Sequence, residues 1–190
     1  MSMIQKYIFG KPLNTGAVVQ DIEATAFTGG NIGGLTVDPD KKTITYKMSE
    51  GTVIYGLVET LRGINKRGWL YVSNNADEPH HEEGKHSLYA SQNFLLVDNG
   101  DGACFGLYID HPGKVRFDIG YTKNDVLTVS AEDFDLSLYF IEGNTPLEIV
   151  KNFRTLVGRS YEAPLWAYGY GQSRWGYKTA SDIREVRDSY

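Results

Sequence analysis

Three of the four histidines lie in one short polar segment together with several carboxylates. This segment, residues 74–86, is called the polar loop below. Imidazole and carboxylate groups are common zinc ligands, but the spacing of His80, His81 and His86 does not match a helical His-x-x-x-His site. The single cysteine, Cys104, is distant in sequence. We therefore predict no metal site, and two interpretations stay open: a solvated connection between strands, or a binding loop.

The carboxylates elsewhere in the chain form no recognisable catalytic pattern. Two carboxyl groups about 5 Å apart on a rigid scaffold would suit a retaining glycosidase. No spacing of Asp or Glu in this chain identifies such a pair, and no nucleophile elbow or Ser/His/Asp arrangement is found. The residues themselves thus predict no catalytic centre within these 190 positions.

An aromatic run near the end of the chain, residues 163–177, is the most distinctive stretch. Its rings alternate with small residues, in the order Trp166, Ala167, Tyr168, Gly169, Tyr170, Gly171. A period of two predicts a strand with three rings on one face. Arg174 and Trp175 follow, and Thr179 with Asp182 predicts the capping box of a helix. A strand followed at once by a helix is typical of a β/α unit.

The preceding 140 residues contain mostly strand and turn patterns. Predicted strands cover 43–48, 52–57, 93–97, 104–109, 115–119 and 135–139. Many short antiparallel strands with few helices predict a mainly β fold, an antiparallel β-sandwich. Cys104 lies within an apolar strand pattern, so we expect a small buried side chain.

One helix is predicted between the sandwich and the aromatic run, from about Pro146 to Val157. Thr145 is its expected N-cap, Glu148 completes a capping box, and Gly158 is its expected C-cap. The apolar residues at helical spacing are Leu147, Val150, Phe153, Leu156 and Val157. The predicted organisation is a sandwich over 1–144, a linking helix and connector over 145–163, and the beginning of a second domain over 164–190.

Charge and composition limit the partners. The net charge is −5, with 19 basic and 24 acidic residues, so no basic surface favours nucleic acid or an anionic membrane. The first residues lack the pattern of a secretory signal, and no apolar run approaches the length of a membrane helix. We expect a cytoplasmic protein without a cofactor. Self-association into a homo-oligomer is left open.

The aromatic run resembles a segment of glycoside hydrolase family 31, the α-glucosidase family. The matching residues are Pro164, Trp166, Gln172, Ser173, Arg174, Trp175, Gly176 and Tyr177, while Ala163 replaces the family's first proline. Residues 55–59, Tyr-Gly-Leu-Val-Glu, resemble the family's Tyr-Gly-Leu-Gly-Glu strand end. Residues 62–68, 75–77 and 117–120 also resemble family segments, in the same order.

This resemblance implies a galactose-mutarotase-like β-sandwich followed by the first strand and helix of a catalytic (β/α)₈ barrel. The family's two catalytic aspartates lie on later barrel strands, so we expect an inactive N-terminal fragment of a retaining α-glucosidase. Its partners would be an α-glucoside oligosaccharide and the rest of the barrel. Among site residues, the resemblance implies substrate binding by Asp77, on a loop over the barrel mouth, and by Trp175, at the end of the first barrel strand.

A second hypothesis comes from a different class of protein. The same sandwich could be a free-standing carbohydrate-binding module without enzymatic activity. Whether the reading frame continues into further β/α units would separate the two hypotheses.

Overall fold

The computed structural model describes residues 3–27, 30–100 and 102–190. The chain divides into two compact units, Met1–Arg159 and Ser160–Tyr190. All the described strands belong to the first unit, and the second contains a short 3₁₀ helix and an α-helix. No helix within the described ranges is long and apolar enough to cross a membrane.

The first unit contains two antiparallel sheets. The strands described are β1 Ile4–Phe9, β2 Gly30–Ile32, β3 Leu35–Asp38, β4 Thr43–Lys47, β5 Val53–Gly56, β6 Trp69–Ser73, β7 Phe94–Asp98, β8 Cys104–Asp110, β9 Val115–Ile119, β10 Val126–Ala131 and β11 Leu136–Gly143. One sheet has the order β1-β11-β8-β7-β5, and the other has the order β2-β3-β4-β10-β9-β6. The mainly β class and the sandwich predicted from the alternating patterns are confirmed.

The main core lies between the two sheets. Along β9, the buried residues Val115, Phe117 and Ile119 alternate with Arg116 and Asp118, as a half-buried strand requires. Buried side chains from both sheets join this cluster. Each large apolar side chain removed from water contributes about 1.5–3 kcal/mol, so the alternation also fixes the register of each strand.

A second core lies on the outer face of the five-stranded sheet, beneath helix α1, Pro146–Val157. Ile149, Phe153 and Leu156 of this helix are buried. Their presence explains why β8 is buried over almost its whole length, with both of its faces covered. Gly106 of β8 permits the close approach, because a Cβ there would lie 2.7 Å from Cγ2 of Ile149.

The cap of α1 follows the prediction with one difference. Thr145 Oγ1 accepts a hydrogen bond from the Glu148 backbone N–H at 3.2 Å, as expected. The Glu148 carboxylate, however, accepts from the backbone N–H of Asn144 at 2.8 Å and not from that of Thr145. At the other end, Gly158 has a φ of 86°, which an L side chain would adopt only with strain.

The second unit differs from the prediction at the aromatic run. Residues Leu165–Tyr168 form a 3₁₀ helix, and no strand forms there. An isolated strand leaves its backbone N–H and C=O groups without ladder partners, and no described segment pairs with this one. The local i→i+3 hydrogen bonds replace the missing ladder, as between Ala167 N–H and Pro164 O at 2.9 Å.

Helix α2, Ala180–Ser189, confirms the predicted helix of this unit. Thr179 Oγ1 accepts from the Asp182 backbone N–H, and the Asp182 carboxylate accepts from that of Thr179 at 2.8 Å, so both halves of the capping box are present. These bonds lower the pKa of Asp182, those from Thr179 contributing most. Local sequence signals were sufficient here because a capping box involves only neighbouring residues.

Candidate functional site

The polar loop leaves the sandwich at the end of β6 and has no helix or strand of its own. Asp77 lies on it and is exposed to solvent. Among the described residues, no hydrogen bond or ion pair engages its carboxylate. A carboxylate that is exposed and uncommitted is available to accept hydrogen bonds from a ligand.

The polar loop and the segment that follows it are tied to neighbouring parts of the chain. The Ser91 hydroxyl donates to Oδ1 of Asn75, two residues before Asp77. The backbone N–H of Glu59 donates to Ala90 O at 2.8 Å, and its carboxylate accepts from the Ala90 backbone N–H at 3.2 Å. The segment that leads from the loop to β7 is therefore fixed to the end of β5.

The turn after β5 accounts for the position of Glu59. Gly56 has a φ of 104°, and a Cβ there would lie 2.5 Å from Phe94 O, so only glycine fits. Leu57 follows with a φ of 66°, and its backbone N–H donates to Phe94 O at 2.8 Å. Val58 is buried in the main core. Residues 55–59 thus place Glu59 against Ala90, on the segment between the polar loop and β7.

Within the loop, an ion pair joins its two limbs beside Asp77. Lys85 Nζ lies 2.9 Å from Glu78 Oε2, and Glu78 Oε1 accepts from the His80 backbone N–H at 3.1 Å. The hydrogen bond from Lys85, followed by that from His80, lowers the pKa of the Glu78 carboxyl. Asp77 therefore lies between two fixed neighbours, Asn75 and Glu78.

Acidification is expected to release this ion pair. Because the pKa of Glu78 is below its ordinary value of 4.5 in the folded protein, the pair contributes fully above about pH 4.5 and is lost as pH falls through the lowered pKa. Titration of the Glu78 carboxyl carbon by NMR should show this low midpoint. In Lys85→Met the midpoint should return toward 4.5, and an unchanged midpoint would show that the pair does not form in solution.

A buried arginine contacts the last part of the polar loop, residues 83 and 84. The Arg62 guanidinium donates to Leu70 O at 2.7 Å, to Glu83 O at 2.9 Å and to Gly84 O at 3.1 Å. It also lies over the Trp69 ring, with 4.3 Å from Cζ to the ring centroid. The family resemblance included residues 62–68, but the sequence predicted no role for Arg62, because its partners are the backbone oxygens of residues up to 22 positions away.

The three histidines of the polar loop do not converge. The ring of His81 packs edge-on against Tyr89, with 5.3 Å between centroids, and His86 Nδ1 lies 3.0 Å from Leu70 O. Over residues 3–27, 30–100 and 102–190, no three His, Cys, Asp or Glu side chains gather closely enough to hold a metal ion. Cys104 is a buried free thiol, as predicted.

The other family-like segments build the scaffold. Arg67 donates to four backbone oxygens, those of Ser49, Glu50, Thr52 and Asn124, at 2.6–3.2 Å. The Asp118 carboxylate accepts from the backbone N–H groups of Tyr121 and Thr122, both at 3.1 Å. These contacts close turns between strands.

Trp175 belongs to the second unit, where it lies in a turn with a relative exposure of 102%. Other rings of the aromatic run are also exposed: Trp166, Tyr168 and Tyr170. Tyr177, two residues after Trp175, lies under the Arg174 guanidinium, with 5.2 Å from Cζ to the ring centroid. The structure thus leaves the Trp175 indole without a packing partner in its own unit.

Comparison with known proteins shows the family. Residues 24–118 match the model of the glycosyl hydrolase 31 N-terminal galactose mutarotase-like domain. Over 172 residues, 84% of this chain, the sequence is 31% identical to "Alpha-glucosidase 2" of Bacillus thermoamyloliquefaciens. Over 124 residues, 64% of this chain, it is 32% identical to an "Alpha-xylosidase" of Emericella nidulans.

A solved structure gives the same result for the fold. The chain is similar to the GH31 dextranase of Flavobacterium johnsoniae, solved in complex with glucose, with a TM-score of 0.69 and 26% identity over 85% of this chain. The chain spans 22% of the α-glucosidase, 15% of the α-xylosidase and 19% of the dextranase chain, about a fifth of the length of such relatives. This chain therefore belongs to glycosyl hydrolase family 31 and contains that family's N-terminal galactose mutarotase-like domain.

Proposed function

We propose that this chain is the N-terminal part of a retaining α-glucosidase that hydrolyses terminal non-reducing α-linked glucose from oligosaccharides. The observation that supports this role is the uncommitted Asp77 carboxylate on a loop that is tied to Ser91 through Asn75 and to β6 through His86. The similarity to an α-glucosidase over 84% of the chain supports the substrate class. In this proposal the sandwich supports the barrel, and the polar loop shapes the substrate subsite.

The catalytic pair would lie on barrel strands outside these 190 residues. The test compares the full-length protein with the 190-residue chain, on p-nitrophenyl α-glucoside and α-xyloside. We expect the full-length protein to cleave the glucoside faster and the 190-residue chain to cleave neither. A preference for the xyloside would overturn the α-glucosidase assignment, and turnover by the short chain would overturn the location of the catalytic pair.

The free-standing binding module predicts a different outcome of the same comparison. Affinity of the 190-residue chain for isomaltose, together with no hydrolysis by the full-length protein, would favour it. Isothermal titration calorimetry with maltose and isomaltose measures that affinity directly.

Trp175 is proposed as a second contact to the substrate, through stacking of its exposed indole on a sugar ring. We expect Trp175→Ala in the full-length protein to change the ratio of the kcat/KM values for maltose and isomaltose. Trp175→Phe should keep this ratio close to the wild-type value, because it retains an aromatic ring. The melting temperature should stay unchanged in both variants. Equal losses on both disaccharides together with a lower melting temperature would show that Trp175 only packs.

A further inference from the structure

Arg62 is a charged residue in an apolar position. It is 8% exposed, and the salt bridges found among the described residues do not include it. Its guanidinium is satisfied instead by three backbone oxygens, from Leu70 on β6 and from Glu83 and Gly84 on the polar loop. A buried cation without a carboxylate is unfavourable unless its N–H groups are well paired.

The geometry uses the specific shape of arginine. The guanidinium lies over two rings of β6, with its Cζ 4.3 Å from the Trp69 centroid and 5.0 Å from that of Tyr71. The rings cover the guanidinium, and its three nitrogens, Nε, Nη1 and Nη2, each reach a separate carbonyl group. A lysine ammonium is a single point of charge and cannot serve all three acceptors in this arrangement.

These contacts connect through the loop to Asp77. Arg62 holds the backbone at Glu83 and Gly84, and the next residue is Lys85. Lys85 pairs with Glu78 at 2.9 Å, and Glu78 is the residue after Asp77. Arg62 thus ties residues 83 and 84 to β6, and the Lys85–Glu78 pair carries this tie to the segment that holds Asp77, while His86 is held on β6 separately.

We propose that Arg62 is a positioning residue, which fixes the polar loop on β6 and so determines where the Asp77 carboxylate meets the substrate. The inference rests on the function proposed above. It assigns to Arg62 no contact with the sugar itself, and its effect on catalysis passes through Asp77.

The first test measures loop order without any activity. In the 190-residue chain, hydrogen exchange of the two hydrogen-bonded loop amides, those of His80 and Lys85, should accelerate at least 10-fold in Arg62→Met. Lys66→Met is the matched control, because Lys66 is equally buried at 9% exposure and its Nζ lies over the same Tyr71 ring at 5.6 Å, while its side chain does not bond the loop. Burial, and then the Arg62 charge, lower the pKa of Lys66, so removing its amine relieves Arg62.

The second test is a double-mutant cycle in the full-length protein. Arg62→Met should lower kcat/KM on maltose about 10-fold, chiefly through KM, while in the Asp77→Asn background it should cause no further loss. Arg62→Lys retains the charge and one bond, so it should keep the fold and show intermediate exchange and activity if Arg62→Met fails to fold.

The outcomes separate the two proposals. If Asp77→Asn leaves kcat/KM unchanged, the proposed function of the loop is wrong. If Asp77→Asn impairs activity but Arg62→Met does not, the positioning role alone is wrong. Losses that multiply in the double variant would likewise overturn it, because Arg62 would then act independently of Asp77. Unchanged exchange of the loop amides in both Arg62 variants would also contradict the proposal.

Discussion

Asp77→Asn in the full-length protein is expected to lower kcat/KM on maltose and isomaltose by about 10- to 100-fold. A hydrogen bond to a charged group contributes about 1.5–3 kcal/mol, and each 1.4 kcal/mol is a factor of ten. The substitution removes the charge and half of the acceptor capacity but keeps the shape. Since no described residue bonds the Asp77 carboxylate, the free energy of unfolding should stay unchanged, and the whole effect should appear in the kinetics.

Glu82→Gln is the matched control for this prediction. Glu82 is an exposed carboxylate on the same loop, and only its backbone oxygen has a described partner, the Lys85 N–H at 3.1 Å. We expect its kcat/KM to remain within twofold of the wild-type value. Equal losses in the Glu82 and Asp77 variants would show a general electrostatic effect of the loop and would contradict a specific contact by Asp77.

Local patterns predicted most of the sandwich from sequence. The strand Val115–Ile119 alternates strictly, so its register and its buried face could be predicted without knowledge of its neighbours. The capping box at Thr179 is likewise local. By contrast, β6 carries an apolar run without a clear period, and its place at a sheet edge depends on pairing with β9, more than 40 residues later.

The candidate site was only partly predictable. The resemblance to the family placed Asp77 on a loop, but the bonds that hold this loop join residues far apart in sequence. Arg62 to Gly84 spans 22 positions and Ser91 to Asn75 spans 16, and neither pair has a sequence signature. At the aromatic run, a clear local pattern gave a wrong prediction. Its alternation predicts a strand, yet a strand forms only where another strand supplies its hydrogen bonds.

The buried face of α1 was also predicted incorrectly in part from the sequence. Helical spacing predicts a face that includes Leu147, Val150 and Phe153, but Leu147 is 62% exposed while Ile149 is fully buried. Two apolar stripes share Phe153 and Leu156, and periodicity alone cannot choose between them. Packing on the sheet determines which stripe is buried, because Ile149 fits into the space left open above Gly106.

Phe153→Ala is expected to destabilise the first unit by about 3–5 kcal/mol, the range for removing a buried phenylalanine ring. The Phe153 ring stacks on Phe94 of β7, with 3.9 Å between centroids and 9° between planes, and contacts Tyr108 of β8 at 5.4 Å. Its loss leaves a cavity between the helix and the sheet, lined by the remaining rings of Phe94 and Tyr108. Urea unfolding followed by tryptophan fluorescence and by hydrogen exchange of β7 and β8 measures the effect.

Leu147→Ala, on the exposed side of the same helix, should change the free energy of unfolding by less than about 0.5 kcal/mol. The contrast between the two variants tests where α1 belongs. If Phe153→Ala costs less than about 1 kcal/mol, the helix contributes little to the sandwich and acts mainly as a connection. If the full loss is found and β8 loses its protection together with α1, then the doubly buried strand needs the helix, since its outer apolar face would otherwise lie in water.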